Sequence, residues 1–134
     1  MKSYALDTNT ISYLVKEDPT VSARLKKESD AGSRIVIPPM AYYEIKRGLL
    51  AVNSLRKMSH FKRFCEALGV EGISLPVLDK ATYVYDELRR AGRLTSDADI
   101  IIAAFCIVND FILVTHNTKH FKDIDGLKTE DWVQ

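Results

Sequence analysis

Two cysteines among 134 residues, Cys65 and Cys106, are too few and too far apart for a disulfide framework, and no Cys-x-x-Cys pair offers a structural zinc site. Apolar neighbours (Phe64; Phe105 and Ile107) point instead to buried free thiols in a reducing compartment. Long hydrophobic runs are also missing. The longest, Ile100 to Val108, falls well short of the ~20 residues that cross a bilayer. Asp7 interrupts the start before any secretory apolar region develops, so a cytoplasmic location without membrane contact is expected. Charge of one sign is lacking as well: 19 Lys and Arg face 18 Asp and Glu, a net of +1, which excludes a polycation held to nucleic acid by bulk charge. No repeat, low-complexity tract, P-loop, Gly-x-Ser-x-Gly or dinucleotide-type glycine turn occurs.

What remains is a chain of one-domain size, taken over 1–134, in which strands alternate with helices. Tyr4-Ala5-Leu6 reads as a strand ending at Asp7, and Arg34 to Ile37 as a second stopped by Pro38-Pro39. Ile73-Ser74-Leu75 reads as a short strand. Phe111 to Thr115, apolar throughout, suits a central parallel strand. Helical spacing covers Asn9 to Lys16, Pro19 to about Ser29 and Met40 to Val52. It continues from Asn53 or Ser54 onward, with Leu55, Met58, Phe61, Cys65 and Leu68 on one face. Asp79 is the expected cap of a helix with stripe Ala81, Val84, Tyr85, Leu88 and Ala91, and Asp97 to Val108 reads as a buried helix. The pattern predicts an α/β fold, a central parallel sheet flanked by helices on both faces.

Ligands of such sheets bind beyond the carboxyl ends of the strands. Asp7, Glu44, Asp97 and Asp99 can all reach that edge. Carboxylates ~4 Å apart repel by up to about 4 kcal/mol at intermediate dielectric, so a cluster needs protons or a divalent cation. Each acid also has a structural use. Asp7 can cap the first helix, Ser96-x-x-Asp99 fits a capping box, Asp97 suits the helix dipole, and Glu44 fits a solvated face. His116 and His120, four apart, lack a third zinc ligand. Basic residues gather at Lys46, Arg47, Arg56, Lys57, Lys62 and Arg63, and again at Arg89, Arg90 and Arg93. These are either solvated helix faces or grips for RNA phosphates, and Tyr42 and Tyr43 are either packing aromatics or stacking surfaces for bases.

Four motifs in order carry a resemblance: Leu6-Asp7-Thr8-Asn9, Glu44-Ile45-Lys46-Arg47-Gly48, Asp99-Ile100-Ile101-Ile102-Ala103-Ala104, and Leu113 through Thr115-His116-Asn117 to Phe121. Together they resemble PIN-domain ribonucleases over almost the whole chain. The size and the tail Gly126 to Trp132 are similar to the VapC toxins of toxin–antitoxin pairs. The resemblance implies that Asp7, Glu44 and Asp99 hold Mg²⁺ (or Mn²⁺) and are catalytic. It makes Asp97 an auxiliary acid or only a helix-start residue, and Thr8, Asn9, Thr115 and Asn117 supporting residues. Asn117 and His120 stand where many relatives carry further acids, which leaves a second ion without its charge. Lys46, Arg47, Arg89, Arg90 and Arg93 become the expected RNA contacts. The implied activity is hydrolysis of RNA by an activated water, with tRNA, and initiator tRNA in particular, as the favoured substrate. The implied partners are a cognate VapB-like antitoxin and a second copy of the chain. The competing expectations are a non-catalytic RNA-binding module and a phosphatase with Asp7 as nucleophile.

Overall fold

The computed structural model describes residues 1–133. Four strands, β1 (Ser3–Leu6), β2 (Arg34–Val36), β3 (Ile112–Val114) and β4 (Thr129–Glu130), form one sheet in the order β2-β1-β3-β4, every pairing parallel. Tyr4, Ala5 and Leu6 are all fully buried. Successive side chains of a strand point to opposite faces, so both faces of the sheet are covered, as expected. β1 continues to β2 on one side and pairs with β3 on the other. The chain therefore reverses its winding between β1 and β3, and the crevice of such a sheet opens there. Leu6 stands opposite Val114, and the Asp7 N–H donates to the Val114 carbonyl at 2.9 Å, which sets Asp7 beside Thr115 at that crevice.

The helices follow local chemistry. α1 (Thr8–Val15) is capped by Asp7, and α2 (Pro19–Asp30) by Asp18, whose carboxylate accepts from the Val21 N–H. α3 (Pro39–Val52) opens on proline at a position where no N–H is needed. α4 (Leu55–Leu68) is capped by Ser54 and buries Phe61, but Leu55 is 84% exposed and Cys65 only half-buried, against expectation. α6 (Asp97–Asn109) is buried along Ile102 to Cys106, and the short α7 (Thr118–Phe121) seats Phe121 in the core.

Two expectations fail around residue 74. Ile73-Ser74-Leu75 is not a strand, because Pro76 has no N–H for a ladder and its fixed φ suits a first helical turn. α5 (Leu75–Arg90) begins there instead, with the Ser74 hydroxyl accepting from the Val77 N–H, so Asp79 lies inside the helix and caps nothing. The only pairing in this stretch is a bridge between Ile37 and Val70. The buried stripe of α5 is Val77, Ala81, Val84 and Leu88, while Tyr85 and Ala91 are exposed. Among the described residues no helix is long and apolar enough to cross a membrane.

Candidate active site

Asp7 is 4% exposed and uses both carboxylate oxygens. Oδ1 accepts from the Thr8 N–H at 2.8 Å, the capping bond. Oδ2 accepts from the Thr115 hydroxyl at 2.8 Å and from Asn9 Nδ2 at 3.3 Å. Asp7 therefore caps α1 and at the same time lies at the crevice beside Thr115. Thr8 reaches further. Its hydroxyl donates to Glu44 Oε1 at 2.7 Å, so one residue ties the acid of β1 to the acid of α3. Glu44 is half-buried.

Asp99 sits in the first turn of α6. Its N–H donates to the Ser96 hydroxyl at 3.2 Å, and its carboxylate accepts from the Thr95 hydroxyl at 3.0 Å. His120 Nδ1 stands 3.8 Å from the same carboxylate oxygen. Burial, with smaller contributions from the negative charges of Asp99 and Glu44, pushes the Asp7 carboxyl up to about 6 against the pull of the Thr115 and Thr8 hydrogen bonds. Asp97 does not join them: it is exposed and borders a hollow between α5 and α6 lined by Leu78, Tyr85 and Ile101.

The auxiliary residues meet at Thr115, which is fully buried. Its hydroxyl donates to Asp7 and accepts from the Asn117 N–H at 3.0 Å and from Asn9 Nδ2 at 3.3 Å. Asn9 Oδ1 accepts from the His116 N–H at 3.0 Å, locking the chain after β3 to the start of α1. The Asn117 side chain is exposed and caps nothing. Sequence reasoning missed Thr95, whose one signal was a hydroxyl residue four before Asp99, and Asp131, which stands 3.1 Å from His116 Nδ1.

Among the described residues, no three Asp, Glu, His or Cys side chains are grouped so as to hold a metal ion unaided. The groups around Asp7 are carboxylates, hydroxyls and the Asn9 amide, and the nearby imidazole of His120 stands 3.8 Å from Asp99, with no thiolate among them. That set fits a hard cation such as Mg²⁺, which uses one or two carboxylates and keeps several waters, and it does not fit zinc.

The expected RNA contacts all have partners within the chain. Arg89 and Arg90 reach Asp86 at 2.7 and 3.1 Å, and Arg93 reaches Asp123 at 3.0 Å. Lys46 donates to the Tyr42 hydroxyl at 3.1 Å, and Arg47 lies over the Tyr43 ring at 5.0 Å. Tyr42 stacks on Phe61, with ring centroids 5.6 Å apart, and serves packing, whereas Tyr43 is exposed.

Comparison with known proteins adds to this geometry. The family model described as PIN domain matches residues 4–127. Ribonuclease VapC1 of Haemophilus influenzae (strain R2866) is 26% identical over 132 residues, 98% of each chain. The tRNA(fMet)-specific endonuclease VapC of Shigella flexneri is 27% identical over 133 residues, 98% of this chain and 99% of that one. Among solved structures, VapBC2 from Rickettsia felis, bound to a DNA fragment from its promoter, aligns with a TM-score of 0.87 at 25% identity, over 97% of this chain and 98% of that one.

Proposed function

Because this chain belongs to the PIN domain family, we propose that it is the ribonuclease toxin of a VapBC-type pair, an endonuclease that hydrolyses RNA phosphodiesters and is silenced by a cognate VapB-type antitoxin. The Thr8 bridge between Asp7 and Glu44 at the β1–β3 crevice, with Asp99 near enough to raise the Asp7 carboxyl, supports this reading. Asp7, Asp99 and Glu44 would hold Mg²⁺, or Mn²⁺ in its place. When bound, such a cation lowers the pKa of water at the site and offsets charge building on the phosphoryl oxygens. Thr8 aligns two of the acids, Thr115 and Asn9 fix the rotamer of Asp7, and Thr95 fixes Asp99. Attack by water rather than by a ribose 2′-hydroxyl leaves a 5′-phosphate and a 3′-hydroxyl. A phosphatase with Asp7 as nucleophile fits less well, because the residue two positions on is Asn9, which donates to Asp7 Oδ2 and Thr115 and has no carboxyl to act as general acid.

The Shigella relative is named for tRNA(fMet), and we take initiator tRNA, cut in the cytoplasm, as the favoured substrate of this chain. Asp97 has an auxiliary role at most, and Asn117 holds or orients solvent at the rim. The exposed apolar side chains of α5, Leu75, Leu78 and Tyr85, suit a homodimer. The test is digestion of total tRNA by purified protein with Mg²⁺ or Mn²⁺, with and without chelator, followed by sequencing of the new ends. Metal-dependent cuts ending in 5′-phosphate, absent from Asp7→Asn, are expected. Cutting that survives chelator or persists in the variant overturns the reading.

A further inference from the structure

A groove of about 330 Å³ leaves the acidic crevice between α1 and α3. Its α1 wall carries Thr8, Ser12 and Lys16, each four residues after the last and so on one helical face. The α3 wall carries Glu44 and Gly48, again four apart, beside the apolar Ile45, Leu49 and Val52, which leave the floor of the groove apolar, and Lys57 from the first turn of α4 closes the far end. The groove therefore begins at residues of the catalytic cluster and ends between two ammonium groups, roughly 12 Å away along eight residues of helix.

Two observations mark it as a path for an anionic strand. First, Lys16 and Lys57 lie within 4 Å of no carboxylate among the described residues, unlike Arg56, Arg89, Arg90 and Arg93, each of which has an acidic partner. Lys57 is half-buried, its stem covered, and no carboxylate lies within 4 Å of it among the described residues. Glu17, the neighbour of Lys16, is turned to Arg56 at 2.7 Å and His60 at 3.5 Å and leaves both lysines unneutralised. Second, Gly48 sits in the interior of α3, where glycine weakens a helix, yet a Cβ there would meet nothing within 4 Å. The chain's own packing does not require glycine at 48. The missing side chain keeps the groove open.

We propose that this groove carries the RNA strand away from the cleavage site, with Lys16 and Lys57 gripping a backbone phosphate downstream of it and Gly48 leaving room for the nucleotide between. The inference rests on the ribonuclease reading above. It moves the main phosphate grip from the arginines at 89, 90 and 93 to two lysines beside α1. Ser12, midway along the wall, offers a hydroxyl to the sugar–phosphate backbone.

Binding of fluorescein-labelled total tRNA, followed by anisotropy in metal-free buffer across a salt series, tests it. The background is Asp7→Asn. Lys16→Gln with Lys57→Gln should weaken binding and reduce the log–log salt slope by about 0.7 for each phosphate no longer gripped. Neutralising Arg89, Arg90 and Arg93 should leave the slope unchanged. Gly48→Leu should weaken binding at every salt concentration with no change of slope and no loss of thermal stability. An unchanged slope in the double lysine variant overturns the proposal and leaves the groove to a protein partner. A slope that falls with the arginines overturns it equally. Cleavage by the otherwise unaltered chain is scored separately, so cutting with an unchanged lysine slope refutes the track alone. Absence of both cutting and tRNA binding refutes the track and the ribonuclease reading together.

Discussion

In Asp7 a carboxylate is both buried and solicited. Three donors favour its charge, while burial and two neighbouring acids oppose it, and the opposition wins. A carboxyl raised from 3.8 to about 6 binds its proton more tightly folded than unfolded. In metal-free protein its contribution therefore favours the fold below about pH 4 and is lost as pH rises through about 6, on the order of 3 kcal/mol at most. Asp7→Asn removes that loss, and melts in chelator should show it about 1–3 kcal/mol more stable than the unaltered chain at pH 8, with little difference at pH 4. Parallel pH profiles for the two proteins would refute the assignment. At the same scale, Asp99→Asn should abolish cleavage while Asp97→Asn retains most of it, since only Asp99 is held by Thr95 and contributes to the shift of Asp7. Initial rates at saturating Mn²⁺ decide between them. Strand ends and first helical turns pointed to Asp7, Glu44, Asp97 and Asp99 alike, and only the motif resemblance singled out Asp7, Glu44 and Asp99. Thr95 was not legible, because a hydroxyl ahead of a capping serine reads as loop until its partner's position in space is known.

Elements with a long apolar stretch, β1, β3 and α6, were legible for the same reason: burial on every side leaves a continuous signature. β4 was not. Two residues cannot display a period, and the strand exists because Lys128 and Glu130 carbonyls accept the N–H groups of Leu113 and Thr115. The start of α5 was misread because Asp79 has a capping residue's chemistry, while Ser74, ahead of Pro76, holds the actual position. Ser74→Ala should cost about 1 kcal/mol in urea denaturation, and Asp79→Ala close to nothing. The reverse order would restore the cap to Asp79.

The molecule as a whole is tied shut by its tail. Trp132 is 2% exposed, lies edge-on to Tyr4 with centroids 5.2 Å apart, and carries the Arg24 guanidinium over its ring at 5.4 Å. Trp132→Ala should cost about 3–5 kcal/mol, read as a lowered denaturation midpoint. It should reduce cleavage only in proportion to the fraction unfolded, because the tryptophan bonds to Glu130 and to none of Asp7, Glu44 and Asp99. The pairing of β1 with β3 has a consequence in time. Thr115 is 108 residues from the Asp7 it holds, and pairings of such separation form slowly because the intervening chain must be ordered first. At ribosomal rates of ~5–20 residues per second, roughly 5–20 s pass between synthesis of the two. Throughout that interval the first strand has no β3 to pair with and Asp7 has no Thr115. A chain still being made therefore lacks the strand that seats Asp7, and the site is complete only once β3 has been added.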